Sequence, residues 1–404
     1  MKFVLGRLLS IAAALGLCFA IDVFAHSQND YTQRLVALAG LYVTLSVSLN
    51  LINGITGQFS IGHAAFYQVG AYCGGFLSVR FYDGSPVHGL LWLLVMMAAG
   101  AAAAAGAGLV VGLPSLRLRG DYLAIVTMGF GEIIRIIVQN VDAFGGPYGM
   151  NVQPKFLHIW LIWLLAVSCI AVCRNLVSSA HGLQFLAVRE DEIAAGAMGV
   201  NVTRVKVTAF MLGSAFAGAA GALLAHFEGF ITPATFAMDV SFIILTMVVL
   251  GGSGSITGSV ISAAFLSYLP EYLRGLKGPE GGTLAVTGAS VAAALFATII
   301  AAGIIRRLLD QARGTPRSRA LGVAGIVGAT LIGKIVIQWG LLFIPYLREL
   351  KIEAGQLRMV IFAVTLIIVM LLRPQGMLAH HELSWAFIGK ILGIKAPAKA
   401  VTPA

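Results

Sequence analysis

Apolar runs of about twenty residues, nearly free of charge, recur along most of this chain. A run of that length crosses a bilayer as a helix, and lipid tolerates only structures that satisfy their own backbone. The expected fold class is therefore an all-α polytopic membrane protein, with about 10–12 transmembrane helices and Gly-rich broken or re-entrant segments. Charged residues make up 11% of the chain, well below the roughly 25% of a soluble domain.

Hydropathy predicts spans at 3–25, 34–53, 62–80, 89–113, 121–140, 157–174, 204–226, 238–251, 256–273, 284–305, 321–345 and 357–372. The formal charge is +10. Its basic residues sit at the ends of apolar runs, which fits a positive-inside bias and not nucleic-acid binding. Lys2 and Arg7 place the N-terminus inside. Alternation then places Arg117 and Arg119, the polar stretch 175–203 with Arg189, and the 306–320 loop inside as well. That last loop sets Arg306, Arg307, Arg313, Arg317 and Arg319 against Asp310. The tail also falls inside, from Arg373-Pro374-Gln375-Gly376 through Lys390, Lys395 and Lys399, so both termini are expected in the cytoplasm. Residues 1–25 partly read as a signal peptide, with Val23-Phe24-Ala25 like a cleavage site. The run is long for that role, and an uncleaved helix is the preferred reading. The expected organisation is a permease domain over 1–376 and a basic cytoplasmic tail over 377–404.

Two polar, glycine-rich interruptions stand out. Gly54-Ile-Thr-Gly57-Gln58-Phe-Ser60-Ile-Gly62-His63 is the first, and Gly251-Gly252-Ser253-Gly254-Ser255-Ile256-Thr257-Gly258 the second. Such breaks must face protein or a water-filled cavity, and transporters build substrate sites from them. Asn50, Asn53, Gln58, Ser60 and His63 supply donors and acceptors around the first. A helix restarting near Ser60 is expected to aim its N–H groups into a cavity, where they suit a carboxylate. The alternative is that these groups satisfy one another, and His63 alone reads as a packed hydrogen-bonding residue. Ile55-Thr56-Gly57 before Ala64-Ala65-Phe66 is weakly repeated by Ile256-Thr257-Gly258 before Ala263-Ala264-Phe265. That fits a parallel duplication, with chance similarity as the competitor.

No catalytic constellation or metal set is visible, and no cofactor is expected. Gly328-Ala329-Thr330-Leu331-Ile332-Gly333-Lys334-Ile335 nearly spells a phosphate-binding loop. It ends in Ile where a hydroxyl should hold magnesium, and it lies inside an apolar helix. Lys334, costly in mid-membrane, has to pair, face a cavity or snorkel. Glu132 and Arg135, three apart on one helix, read as a mutually compensating pair. Cys169 and Cys173 read as small packing residues. Gly70/Gly74 and Ser214/Gly218 have the spacing of close helix contacts.

The 175–203 stretch contains Arg189-Glu190-Asp191-Glu192-Ile193-Ala194-Ala195, followed by Gly199. Phe185, Leu186, Val188, Ile193 and Met198 alternate with its charges. This predicts a short amphipathic helix that starts at the acidic cluster and stops at Gly199, suited to docking a soluble partner. The bland alternative is a solvated loop.

Four blocks resemble the membrane-spanning permease of branched-chain amino acid ABC importers, the LivM-type subunit. They are Ser48–Phe66, Leu116–Arg135, Val188–Gly199 and Leu371–Gly376, in order over most of the chain. The resemblance implies a subunit without its own ATPase site in a bacterial plasma membrane, translocating branched-chain amino acids (Leu, Ile or Val) or a related small polar solute on ATP hydrolysis in separate subunits. Its implied partners are a second related permease, two cytoplasmic ABC ATPases, a periplasmic solute-binding protein and lipid. It also implies that Arg189, Glu190, Asp191, Glu192, Ala194, Ala195 and Gly199 belong to the loop that engages an ATPase. That stretch is similar to a Glu-Ala-Ala-x-x-x-Gly pattern, with Ile193 in place of the glutamate. One departure is an inserted two-helix hairpin at about 280–350, where relatives pass quickly to their final helix. An ion-coupled secondary transporter is the competing reading, and a membrane scaffold or intramembrane enzyme is a third.

Overall fold

The computed structural model describes residues 2–82, 89–115, 118, 120–155, 158–275, 285–287 and 351–353. Eleven α-helices occur among them. They are α1 (Lys2–His26), α2 (Asp30–Asn50), α3 (His63–Phe81), α4 (Gly89–Ser115), α5 (Asp121–Asn140), α6 (Trp160–Val177), α7 (Ala180–Glu190), α8 (Glu192–Ala197), α9 (Val202–Glu228), α10 (Met238–Gly251) and α11 (Ile256–Gly275). Six segments of the described residues are long and apolar enough to cross a membrane. The protein is an all-α polytopic membrane protein. The spans predicted at 321–345 and 357–372, most of that at 284–305, Lys334, the 306–320 loop and the tail lie outside the described residues.

Small residues decide how the helices pack. Lipid removes the hydrophobic drive between helices, so close backbone approach and interhelical hydrogen bonds must hold them. α3, α4 and α9 form one tight group. Gly70 of α3 lies against the Gly218 backbone of α9, and a Cβ at Gly100 of α4 would come 2.9 Å from the Gly70 carbonyl oxygen. The GxxxG and small-xxx-small spacings therefore mark real contacts. Gly70→Val drives a side chain into the α9 backbone. Overpacking of this kind costs about 1–3 kcal/mol, and the expected result is a lowered melting temperature of the purified protein in detergent.

α2 is the central helix. It packs against α6, α9, α10 and α11, while α3, the next helix in the chain, leaves it for α4 and α9. α1 rests on α6 and α2. It carries the buried Asp22, whose Oδ1 accepts hydrogen bonds from the Ile159 and Trp160 amides at 2.7 and 3.2 Å. The acid is tolerated in an apolar helix because it satisfies two amides at the start of α6. On α5, Arg135 donates to Glu132 through Nε at 2.8 Å and Nη2 at 2.6 Å, closing the expected pair. Cys169 and Cys173 are buried free thiols within an apolar cluster.

The polar stretch after α6 differs from its expected form. It holds two short helices where one was expected. Ser179 caps α7, its Oγ accepting from the Gly182 amide at 3.2 Å. Asp191, in extended conformation, ends α7 and caps α8 by accepting from the Ile193 and Ala194 amides. The acidic cluster and Gly199 (φ +88°) bound α8 as expected. The missed helix, α7, buries Phe185 and Val188.

At the opposite end of the bundle, β1 (Met150–Asn151) pairs antiparallel with β2 (Phe230–Ile231). A second ladder joins β3 (Ala285–Thr287) to β4 (Lys351–Glu353), so residues 285–287 of the predicted 284–305 span are strand.

Candidate functional site

The two interruptions are breaks in the helices, and they meet. α2 widens into a π-helical turn over Leu51–Ile55, and the chain then runs without helix to α3 at His63. α10 ends at Gly251, capped by Gly252 (φ +116°), and α11 begins at Ile256. Only glycine adopts such a φ at little cost. The second break is a tight corner whose flanking helices pack together, with Gly251 against Gly258. The first is a longer redirection of the chain.

Asn50, fully buried, joins them. Its Nδ2 donates to the Ser255 carbonyl at 3.0 Å, and its Oδ1 accepts from the Gly254 amide at 2.8 Å. A side chain at Gly54 would collide with both Asn50 Oδ1 and the Gly254 amide. Gly54 is therefore a close-approach position.

The rest of the first break is held from inside. Asn53 bonds Ser60 twice, donating to its carbonyl at 3.0 Å and accepting from its amide at 3.1 Å. Gln58 donates its backbone amide to the Ile52 carbonyl at 3.0 Å. His63 Nε2 lies 2.9 Å from Ser48 Oγ, as expected of a packed hydrogen-bonding residue. Gly62 lies against the Thr127 carbonyl. In the second break, Ser255 Oγ accepts from the Gly258 amide at 3.1 Å and lies 3.4 Å from Thr257 Oγ1.

The helix restart differs from expectation. It begins at His63, three residues after Ser60. Two amides at its start are already used: Ala64 donates to Ser241 Oγ at 3.0 Å and Ala65 to the Gly62 carbonyl at 3.1 Å. Ile61 donates to Thr127 Oγ1 at 3.1 Å. An anion cradle built from the first-turn amides is thereby curtailed. Unpartnered polar atoms occur on side chains instead. Gln58 Oε1, Ser60 Oγ and His63 Nδ1 are buried with no hydrogen-bond partner among the described residues. Buried polar atoms are costly unless something meets them.

The α7–α8 segment reaches the first break directly. Arg189 Nη1 donates to the Gly54 carbonyl at 3.2 Å, and its other nitrogens hold Glu190 at 2.7–3.1 Å. Gly57 (φ +74°) lies under the Arg189 side chain, where a Cβ would come within 2.8 Å of Cγ. A crevice of about 200 Å³ between Thr56–Phe59, residues 188–193 and Lys206 marks this contact. Lys206 was not picked out from the sequence. It is 2% exposed, forms an ion pair with Glu192, and accepts a 3.5 Å bond from Gln58 Nε2 on its carbonyl. A lone lysine among valines near the start of α9 was the available signal.

Arg189 and Glu192 thus bear on the first break, and Asp191 sets the α8 terminus. Ala195 packs into the core, while Ala194 and Gly199 face outward. Ile193 and Met198 are 69% and 85% exposed.

The family profile described as branched-chain amino acid transport system / permease component matches residues 31–302, most of the chain. The chain belongs to this family. The family match spans both broken-helix corners and the α7–α8 segment. Among curated relatives, the high-affinity branched-chain amino acid transport system permease protein LivM of Escherichia coli (strain K12) is 35% identical over 283 residues, which cover 60% of this chain and 64% of the relative. The corresponding LivH permease protein of the same strain is 26% identical, over 57% of this chain and 81% of the relative. The autoinducer 2 import system permease protein LsrC of Photorhabdus luminescens is 24% identical, over 67% and 82%. The chain therefore spans less than two thirds of the LivM relative's length. No solved structure matches.

Proposed function

We propose that this chain is the membrane-spanning permease subunit of an ATP-driven importer of branched-chain amino acids. In this reading two cytoplasmic ABC ATPases supply the energy, a second permease completes the pore, and a periplasmic binding protein delivers the solute. The α7–α8 segment and both termini then face the cytoplasm of a bacterial cell. Asn50, Asn53, Gly54, Gly57, Gln58, Ser60, Gly62 and His63 line the solute path together with Gly251, Gly252, Gly254, Ser255, Thr257 and Gly258. The subunit carries no ATPase site of its own.

One observation carries the mechanism. Arg189 of the α7–α8 segment bonds the Gly54 carbonyl, Gly54 lies against Asn50, and Asn50 bonds Gly254 and Ser255. A displacement of the segment reaches both broken helices through these contacts, with no other element between. Such a linkage suits alternating access, in which an external motor shifts a pore between two packed arrangements. The buried, unpartnered atoms of Gln58, Ser60 and His63 suit a path that a polar solute or water visits. Similarity to LivM and LivH supports the solute class.

The test is reconstitution in vesicles, with and without the two ATPases, the second permease and the binding protein. Uptake of leucine, isoleucine or valine is expected only with the full set and ATP. Uptake by this chain alone on an ion gradient identifies a secondary transporter and overturns the proposal.

A further inference from the structure

A second polar feature lies at the other end of α2. Arg34 is sixteen positions before Asn50, about 24 Å along the helix at 1.5 Å per residue. Beside it is a cavity of about 470 Å³, within the roughly 300–1,000 Å³ of small-molecule sites. Its wall includes the aliphatic side chains of Leu38, Leu41, Leu224 and Val240. Among the described residues, its only charged lining residues are Arg34 and Glu228.

We propose that this cavity is a site for an α-amino acid zwitterion: Arg34 takes the carboxylate, Glu228 takes the ammonium, and the aliphatic wall takes an uncharged side chain. This rests on the reading of the chain as an amino-acid permease and adds the place where the solute first meets it. Arg34 donates to Glu228 Oε1 through Nε at 2.8 Å. A guanidinium has five N–H donors in a planar fork, so its Nη edge can still engage a carboxylate with two parallel bonds. Arg34 meets Oε1 of Glu228, and the second oxygen of a carboxylate can accept from an ammonium. The pair is also cheap to open. The Arg34 side chain is 56% exposed, and ion pairs this wet contribute little. A solute carrying one charge would satisfy only one of the two residues, whereas a zwitterion satisfies both. The wall also carries Tyr42, Tyr67, Thr232 and Thr235, and its aliphatic part sets a hydrophobic side chain against the zwitterion.

The competing view is a strut tying α2 to α9. The complete importer in vesicles separates the two, read as leucine taken up per ATP hydrolysed. Arg34→Gln and Glu228→Gln are each expected to lower that ratio by about tenfold or more, while assembly and capture of ligand-free binding protein stay at wild-type levels. The double exchange Arg34→Glu with Glu228→Arg keeps an ion pair but turns the zwitterion end for end, away from the aliphatic wall. The ratio is therefore expected to stay low. Recovery in the double exchange shows a strut, and unaltered single variants show no role; either overturns the site. So does loss of binding-protein capture that accounts for the whole defect. All of these results leave the importer reading intact. Absence of amino-acid uptake by the wild-type complex instead removes the reading on which the site rests.

Discussion

Asn50→Ala is expected to separate ATP hydrolysis from solute movement. The variant should still reach the membrane and assemble with its ATPases, and hydrolysis should continue in reconstituted vesicles. Leucine uptake per ATP should fall by roughly 5- to 150-fold, the range of a coupling free energy of about 1–3 kcal/mol. The Asn50 amide makes one bond to each of two consecutive residues of the second break, Gly254 and Ser255. Alanine removes both and leaves the part-buried Gly254 N–H without its partner, at about 1–3 kcal/mol; the Ser255 carbonyl keeps its bonds from the Ser259 amide and hydroxyl. Few other contacts so directly join the α2 break to the α10–α11 corner, so the second corner no longer follows the first.

Asn50→Asp sharpens the test. An aspartate keeps the acceptor for the Gly254 amide but sets a second oxygen against the Ser255 carbonyl. It also buries a charge at a site whose hydrogen-bond partners among the described residues are backbone groups and not a cation, a costly arrangement. The expected order of uptake is therefore Asn, then Ala, then Asp. Wild-type uptake per ATP in Asn50→Ala would show that the corners move independently.

Much of this architecture was legible because lipid leaves few options. Helix limits at 121–140 and 238–251 coincide with α5 and α10, since an apolar run in a bilayer is either helix or broken. The breaks were legible for the same reason: glycine and hydroxyl residues have no local cause to cluster within a span. Contacts distant in sequence were not legible. That Asn50 joins Gly254, 204 positions away, follows from how α2 packs on α10 and α11. Nothing in the Asn50 neighbourhood announces it. Lys206 was missed because one lysine near a helix start looks like a solvated end, and only the fold brings Glu192 to it. The spent amides at Ala64 and Ala65 depend on Ser241 and on the local turn. α7 was missed because its cap, Ser179, lies before the charged cluster that drew attention.

The α7–α8 segment carries the second large expectation. Ile193→Asp combined with Met198→Asp should abolish co-purification of the ATPases while the permease still folds and inserts. Both side chains are apolar and exposed, at 69% and 85%. Neither is among the buried core residues, and the Asp191 cap that starts α8 is untouched. Exposed apolar side chains on a polar segment are what a protein partner would cover. Truncating such an anchor costs about 2–4 kcal/mol, and a carboxylate adds the penalty of desolvating a charge. Two changes together should weaken association by more than about 1,000-fold. Glu192→Ala is a poorer probe of docking, because it strands the buried Lys206 ammonium and so disturbs the start of α9 as well. The charge-preserving Glu192→Asp controls for that effect. If the double aspartate variant still retained its ATPases, the docking surface would have to lie elsewhere, and the Arg189–Gly54 contact would be left as a brace within the permease.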